Sequence, residues 1–239
     1  MKPLPYTHGE TALEGYLTYD DAHKAKRPGV LVVHEWWGLN DFARREAEQL
    51  ARLGYVALAI DMYGKGVTTS DPTEAGKLSG QFRGDPQLVR GRAAAGLNAL
   101  IETGLVDAAR VGAMGFCFGG MVVQQMAYGG LELKGVASFH GSLVPLPEAD
   151  APKVKAAVLI LHGAADTLIP DEAIRAWQDA MRKTTIDWQF VSLGGAKHSF
   201  TNPASTSLGM QGVGYDERAD RRAREMMRAF FAEVLGRGE

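Results

Sequence analysis

One cysteine in 239 residues excludes an internal disulfide, and a chain of this length buries enough apolar surface to fold without a disulfide or a structural metal. A lone thiol suits a reducing compartment. No apolar run approaches the roughly 20 residues that cross a bilayer. The opening MKPLPYTHGE lacks the apolar stretch of a secretory signal, so the expectation is a cytoplasmic protein with no membrane partner. Neither charge is in excess. Lys and Arg number 26 against 28 Asp and Glu, and a net charge of −2 leaves no basic field to attract nucleic acid. No repeat, low-complexity tract or Pro/Gly/Ser linker divides the chain, which reads as a single domain over residues 1–239.

What is present is the composition of an ordinary globular protein, 46% apolar and 23% charged, with short apolar runs alternating with stretches of helical period. Strands are expected at residues 30–34, 55–60, 111–115, 135–140, 156–162 and 187–191. Helices are expected at 41–53, 86–101, 118–128, 171–183 and 215–235, the first capped by Asn40 or Asp41. Residues 61–86, rich in Gly, Thr and Asp, read as a long loop or irregular excursion. Strand–helix alternation predicts an α/β fold with a mostly parallel sheet covered on both faces. Ligands of such sheets bind beyond the carboxyl ends of the strands.

The sharpest motif is Gly115-Phe116-Cys117-Phe118-Gly119-Gly120, between an expected strand and an expected helix. It is the G-x-S-x-G nucleophile elbow with cysteine in place of serine. The turn is tight enough to require small flanking residues. It also sets the thiol at a helix N-terminus, where free N–H groups and the dipole favour a thiolate. A free cysteine is more commonly a small buried hydrophobe; its place inside the elbow marks this one as the candidate nucleophile.

A cysteine nucleophile needs a histidine base, and the base needs an acid to fix its tautomer. Elbow enzymes carry them in the order nucleophile, acid, histidine. Asp166, in the turn Gly163-Ala164-Ala165-Asp166, and His198, in Gly195-Ala196-Lys197-His198-Ser199-Phe200, satisfy that order. Asp171 competes as the acid. Among the other histidines, His8 and His23 precede the first buried strand, His34 and His140 end strands, and His162 lies before the acid. An oxyanion forming on attack would be met by the backbone N–H groups of Phe118 and Trp36. Glu35, beside that hole, is either a surface carboxylate or an auxiliary acid that holds the thiol proton in the empty site. Trp36, Tyr63, Phe200 and Asn202 are the expected pocket residues.

These motifs, with His34-Glu35 and Asp61-Met62-Tyr63, resemble the dienelactone hydrolases, the carboxymethylenebutenolidase-like α/β-hydrolases, from about residue 28 onward. The resemblance implies an α/β-hydrolase fold without a large cap and a Cys117–His198–Asp166 triad. It also implies a resting partnership of Glu35 with Cys117, and ester or lactone cleavage through a thioester with no metal or cofactor. Family members clamp a substrate carboxylate with two arginines. One of those positions is Asn202 here, and Arg83 is the candidate for the other, so the expected substrate is a less acidic small ester or lactone. A thioesterase or peptidase-like hydrolase, or a non-catalytic binding protein of the same fold, are the alternatives. A monomer or small homo-oligomer is expected.

Overall fold

The structure, a computed structural model, describes residues 2–22 and 25–236; His23 lies outside them. Among the described residues eight strands form one sheet: β1 (Lys2–His8), β2 (Thr11–Thr18), β3 (Arg27–Val33), β4 (Val56–Ile60), β5 (Val106–Phe116), β6 (Gly135–Phe139), β7 (Ala157–Gly163) and β8 (Trp188–Leu193). Their order is β1-β2-β4-β3-β5-β6-β7-β8. The hairpin β1–β2 is antiparallel and β2 joins β4 antiparallel, while the remaining six strands run parallel. This is the α/β-hydrolase arrangement, and no cap domain is present among the described residues.

Six α-helices among the described residues flank the sheet: α1 (Asp41–Arg52), α2 (Pro72–Arg83), α3 (Pro86–Glu102), α4 (Phe118–Tyr128), α5 (Asp171–Arg182) and α6 (Glu217–Leu235). Asn40 caps α1, accepting from the Phe42 and Ala43 N–H groups and occupying two of the donors a helix start leaves free. The central strands are buried on both sides and alternate between two cores. Leu31, Val33, Leu58 and Ile60 face the side of α3, α4 and α5, whereas Val30, Val32, Ala57 and Ala59 face α1 and α6. A period of two on a doubly covered strand explains why these segments read as unbroken apolar runs.

Two segments depart from the sequence reading. Residues 61–86 are not wholly irregular. Asp71 accepts from the Thr73 and Glu74 N–H groups, Pro72 opens α2, and the helix seats Phe82 in the core. Asp-Pro is itself a helix-start signal, which the surrounding Gly and Thr obscured. The N-terminal hairpin was not anticipated either, since Pro3 and Pro5 lie in β1. That strand is an edge of the sheet, where proline is tolerated.

Candidate active site

Strands β3 and β5 are neighbours, and the helices that follow them, α1 and α4, pack on opposite faces of the sheet, so their carboxyl ends open a crevice. Cys117 lies between β5 and α4 with φ 54° and ψ −112°, a left-handed conformation that non-glycine residues adopt at strained turns. Its N–H donates to the Phe139 carbonyl at 3.0 Å, and its carbonyl receives the Gly120 N–H at 3.0 Å. The flanking glycines are steric requirements. A Cβ on Gly115 would lie 2.0 Å from the Gly119 carbonyl oxygen, and one on Gly119 would lie 2.3 Å from that of Val33. The thiol is half-buried at the first turn of α4.

Asp166 and His198 sit on the loops after β7 and β8, which are stitched together by the Ala165 N–H donating to the Ala196 carbonyl at 2.8 Å. His198 Nδ1 is 2.7 Å from Asp166 Oδ2, and Asp166 Oδ1 accepts from the Leu168 N–H. Both side chains are almost wholly buried. Burial alone would disfavour the imidazolium. The opposing pull of a nearby Cys117 thiolate and of the Asp166 carboxylate prevails and raises the His198 pKa to about 10. The three candidate residues thus come together from positions 32 and more apart in sequence. Asp171, the competing acid, is exposed in the first turn of α5.

Glu35 is not a surface carboxylate: it is 2% exposed. Nor does it pair with Cys117. Its Oε1 accepts from Ser199 Oγ at 2.8 Å and its Oε2 from Asn202 Nδ2 at 2.7 Å. Burial raises its pKa, and the two donated hydrogen bonds lower it in part. Ser199 reaches Glu35 from a left-handed turn, φ 55°, directly after the candidate base.

Three expected pocket residues are therefore reassigned. Asn202 lies under Glu35 and also receives the Ala204 N–H, so an arginine there would meet a buried carboxylate. Phe200 is fully buried and packs edge-on against His140 at 5.2 Å. Tyr63 is half-buried among His34, Phe82 and Phe118, and its hydroxyl donates to the Trp36 carbonyl at 3.1 Å. None of the three borders the cavity that contains Cys117 and His198.

That cavity, of about 340 Å³, does include Trp36, as expected. Trp37, Leu168, Leu208 and Met210 add apolar walls, and Arg83, from the last turn of α2, contributes a cation. Leu208 and Met210 carried no signal in the sequence, because they lie at the end of and just after a short 3₁₀ turn at Pro203–Leu208 that belongs to no periodic pattern. A larger depression of about 680 Å³ lies at the opposite ends of the strands, edged by Lys134, Lys155 and Lys183, and its lining includes no cysteine, serine or histidine. The N–H groups of Trp36 and Phe118 donate to no protein acceptor among the described residues. His34 is bound to the α4 turn, its carbonyl receiving the Gly119 N–H at 3.1 Å.

The family model described as the dienelactone hydrolase family matches residues 13–235. Among solved structures, the chain is similar to a dienelactone hydrolase-like promiscuous phosphotriesterase from metagenomic libraries. The two are 39% identical over 98% of each chain, with a TM-score of 0.95. It is equally similar to a structure named m3DLH, 40% identical over 98% of each chain, TM-score 0.95. A protein of Methylorubrum extorquens, provisionally named a carboxymethylenebutenolidase, is 32% identical over 72% of this chain and 63% of its own length.

Proposed function

Because the chain belongs to the dienelactone hydrolase family and is an ester or lactone hydrolase of the α/β-hydrolase fold, we propose that it cleaves its substrate through Cys117. The observation that carries this reading is the Asp166–His198 pair held beside a thiol at an elbow, on an apolar cavity. The Cys117 thiolate attacks the carbonyl carbon, and the oxyanion that forms accepts from the Trp36 and Phe118 N–H groups. His198 gives its Nε2 proton to the departing alkoxide oxygen as the C–O bond breaks and a thioester forms. It then takes a proton from water, whose attack on the thioester releases the carboxylic acid and regenerates the thiolate. Asp166 keeps the Nδ1 proton in place through both halves. With Asn202 committed to Glu35, Arg83 is the cation left to meet a substrate carboxylate. A small, mostly apolar ester or lactone fits that cavity. Residues 1–239 act as one domain in this reading, supported by the single sheet that carries every site residue.

The test compares p-nitrophenyl butyrate, a simple lactone and an acyl-CoA, using wild type, Cys117→Ala and iodoacetamide-treated enzyme. Activity that survives both the substitution and alkylation refutes the thiol mechanism. Thioester turnover far above ester turnover reassigns the chain to the thioesterases. The similarity to a promiscuous phosphotriesterase supports a second reading at the same thiol, attack on phosphorus with loss of an aryloxide. A diethyl aryl phosphate belongs in the same panel.

A further inference from the structure

The peptide group that joins Glu35 to Trp36 is held from one side by His34. The Met62 N–H approaches His34 Nε2 at 3.3 Å, and a backbone N–H only donates, so Nε2 is the unprotonated nitrogen. The proton therefore resides on Nδ1, which donates to the Glu35 carbonyl at 2.5 Å. The same carbonyl closes a turn with the Gly38 N–H at 3.4 Å. Complete burial disfavours the imidazolium and keeps His34 below its ordinary pKa, so the neutral ring with this one tautomer persists. The next carbonyl, that of Trp36, is held by the Tyr63 hydroxyl at 3.1 Å. Both carbonyls flanking Trp36 are thus tethered, while the Trp36 N–H has no protein partner among the described residues.

A trans peptide is planar, with its C=O and N–H pointing in opposite directions. We infer that His34 is a positioning residue: by holding the Glu35 carbonyl it aims the Trp36 N–H at the substrate oxygen attacked by Cys117, and Tyr63 secures the other end of that residue. The inference rests on the Cys117 reading above. It assigns a task to a buried histidine that takes no part in the Cys117–His198–Asp166 arrangement, and to a tyrosine that stands near the thiol without bordering the cavity.

Thiol alkylation separates the two ideas, because iodoacetamide needs the thiolate but builds no oxyanion. The variants are His34→Phe, which keeps a ring against Tyr63 and Phe118 but loses the donor, His34→Asn, whose Nδ2 can take the place of Nδ1–H, and Tyr63→Phe. Each is melted to establish folding, then assayed on p-nitrophenyl butyrate and timed for Cys117 alkylation. Loss of one oxyanion donor costs on the order of 10²–10³ in kcat. His34→Phe is expected to lose roughly 10²-fold in kcat, with KM and alkylation rate within about threefold of wild type. His34→Asn is expected to regain about tenfold of that loss, and Tyr63→Phe to fall about fivefold to tenfold in kcat alone. A kcat within about twofold of wild type in Tyr63→Phe overturns the inference even if His34→Phe fails to fold. Alkylation that slows in parallel with hydrolysis also overturns it, since the damage would then lie at Cys117. Wild-type hydrolysis that persists after complete alkylation refutes the Cys117 reading, and the inference with it.

Discussion

Replacing Asn202 by alanine removes one of the two side-chain donors that solvate a buried carboxylate, the Nδ2 group 2.7 Å from Glu35 Oε2. Burial holds the Glu35 pKa above its ordinary value of 4.5, and the bonds from Ser199 and Asn202 limit that rise. Between the unfolded and folded pKa values the native chain keeps a proton that the unfolded chain releases. Stability therefore falls as pH rises through that window. Loss of Asn202 extends the window upward. Below it Glu35 is protonated in both proteins, and the variant lacks an ordinary hydrogen bond, about 0.5–1.5 kcal/mol. Above it the lost bond is to a charge, about 1.5–3 kcal/mol. The expected deficit is about 1 kcal/mol at an acid pH where Glu35 is protonated in both native proteins, and it grows to about 2–3 kcal/mol at an alkaline pH where Glu35 is ionised in both. Urea unfolding followed by tryptophan fluorescence at both pH values measures it. A deficit independent of pH, or larger in acid, would show that Asn202 does not support an ionised Glu35.

Asp166→Asn should lower kcat by roughly 10³–10⁴, by analogy with loss of the orienting acid in triads of this type. It should also move the His198 titration, read by NMR, down from about 10; an unmoved titration would refute the pairing. Arg83→Met should raise KM about tenfold for an ester bearing a carboxylate, the loss of one exposed charge-assisted bond, and leave a neutral ester within about twofold. Equal effects on both esters would remove Arg83 from substrate binding. Gly119→Ala forces a Cβ to 2.3 Å from the Val33 carbonyl oxygen and 2.7 Å from that of His34. Both contacts are backbone and have little room to yield, so a loss above about 4 kcal/mol is expected. A melting temperature near wild type would contradict the close packing of the elbow.

Short-range physics made the scaffold legible. Apolar runs and helical periods located six of the eight strands and five of the six α-helices, because each pattern is satisfied within one segment. The elbow was legible from its spacing, and Gly115 is demanded locally by the Gly119 carbonyl four residues on, although Gly119 and Gly120 are demanded by Val33, His34, Ser138 and Gly141, which only the tertiary structure brings near. The order Cys117, Asp166, His198 was readable as well, since each follows a strand and parallel strands end on the same side of the sheet.

What faces what was decided by the tertiary structure. Glu35 finds its partners at Ser199 and Asn202, 164 and 167 residues away, and no local pattern could distinguish that pairing from one with Cys117. Phe200 and Asn202 lie close to His198 in sequence, yet the left-handed turn at Ser199 sends them inward, while Leu208 and Met210 return to line the cavity. Cys117, Asp166 and His198 were legible because chain order and turn chemistry constrain them. The walls of the cavity and the partner of Glu35 were not, because they depend on where loops from distant strands meet in space.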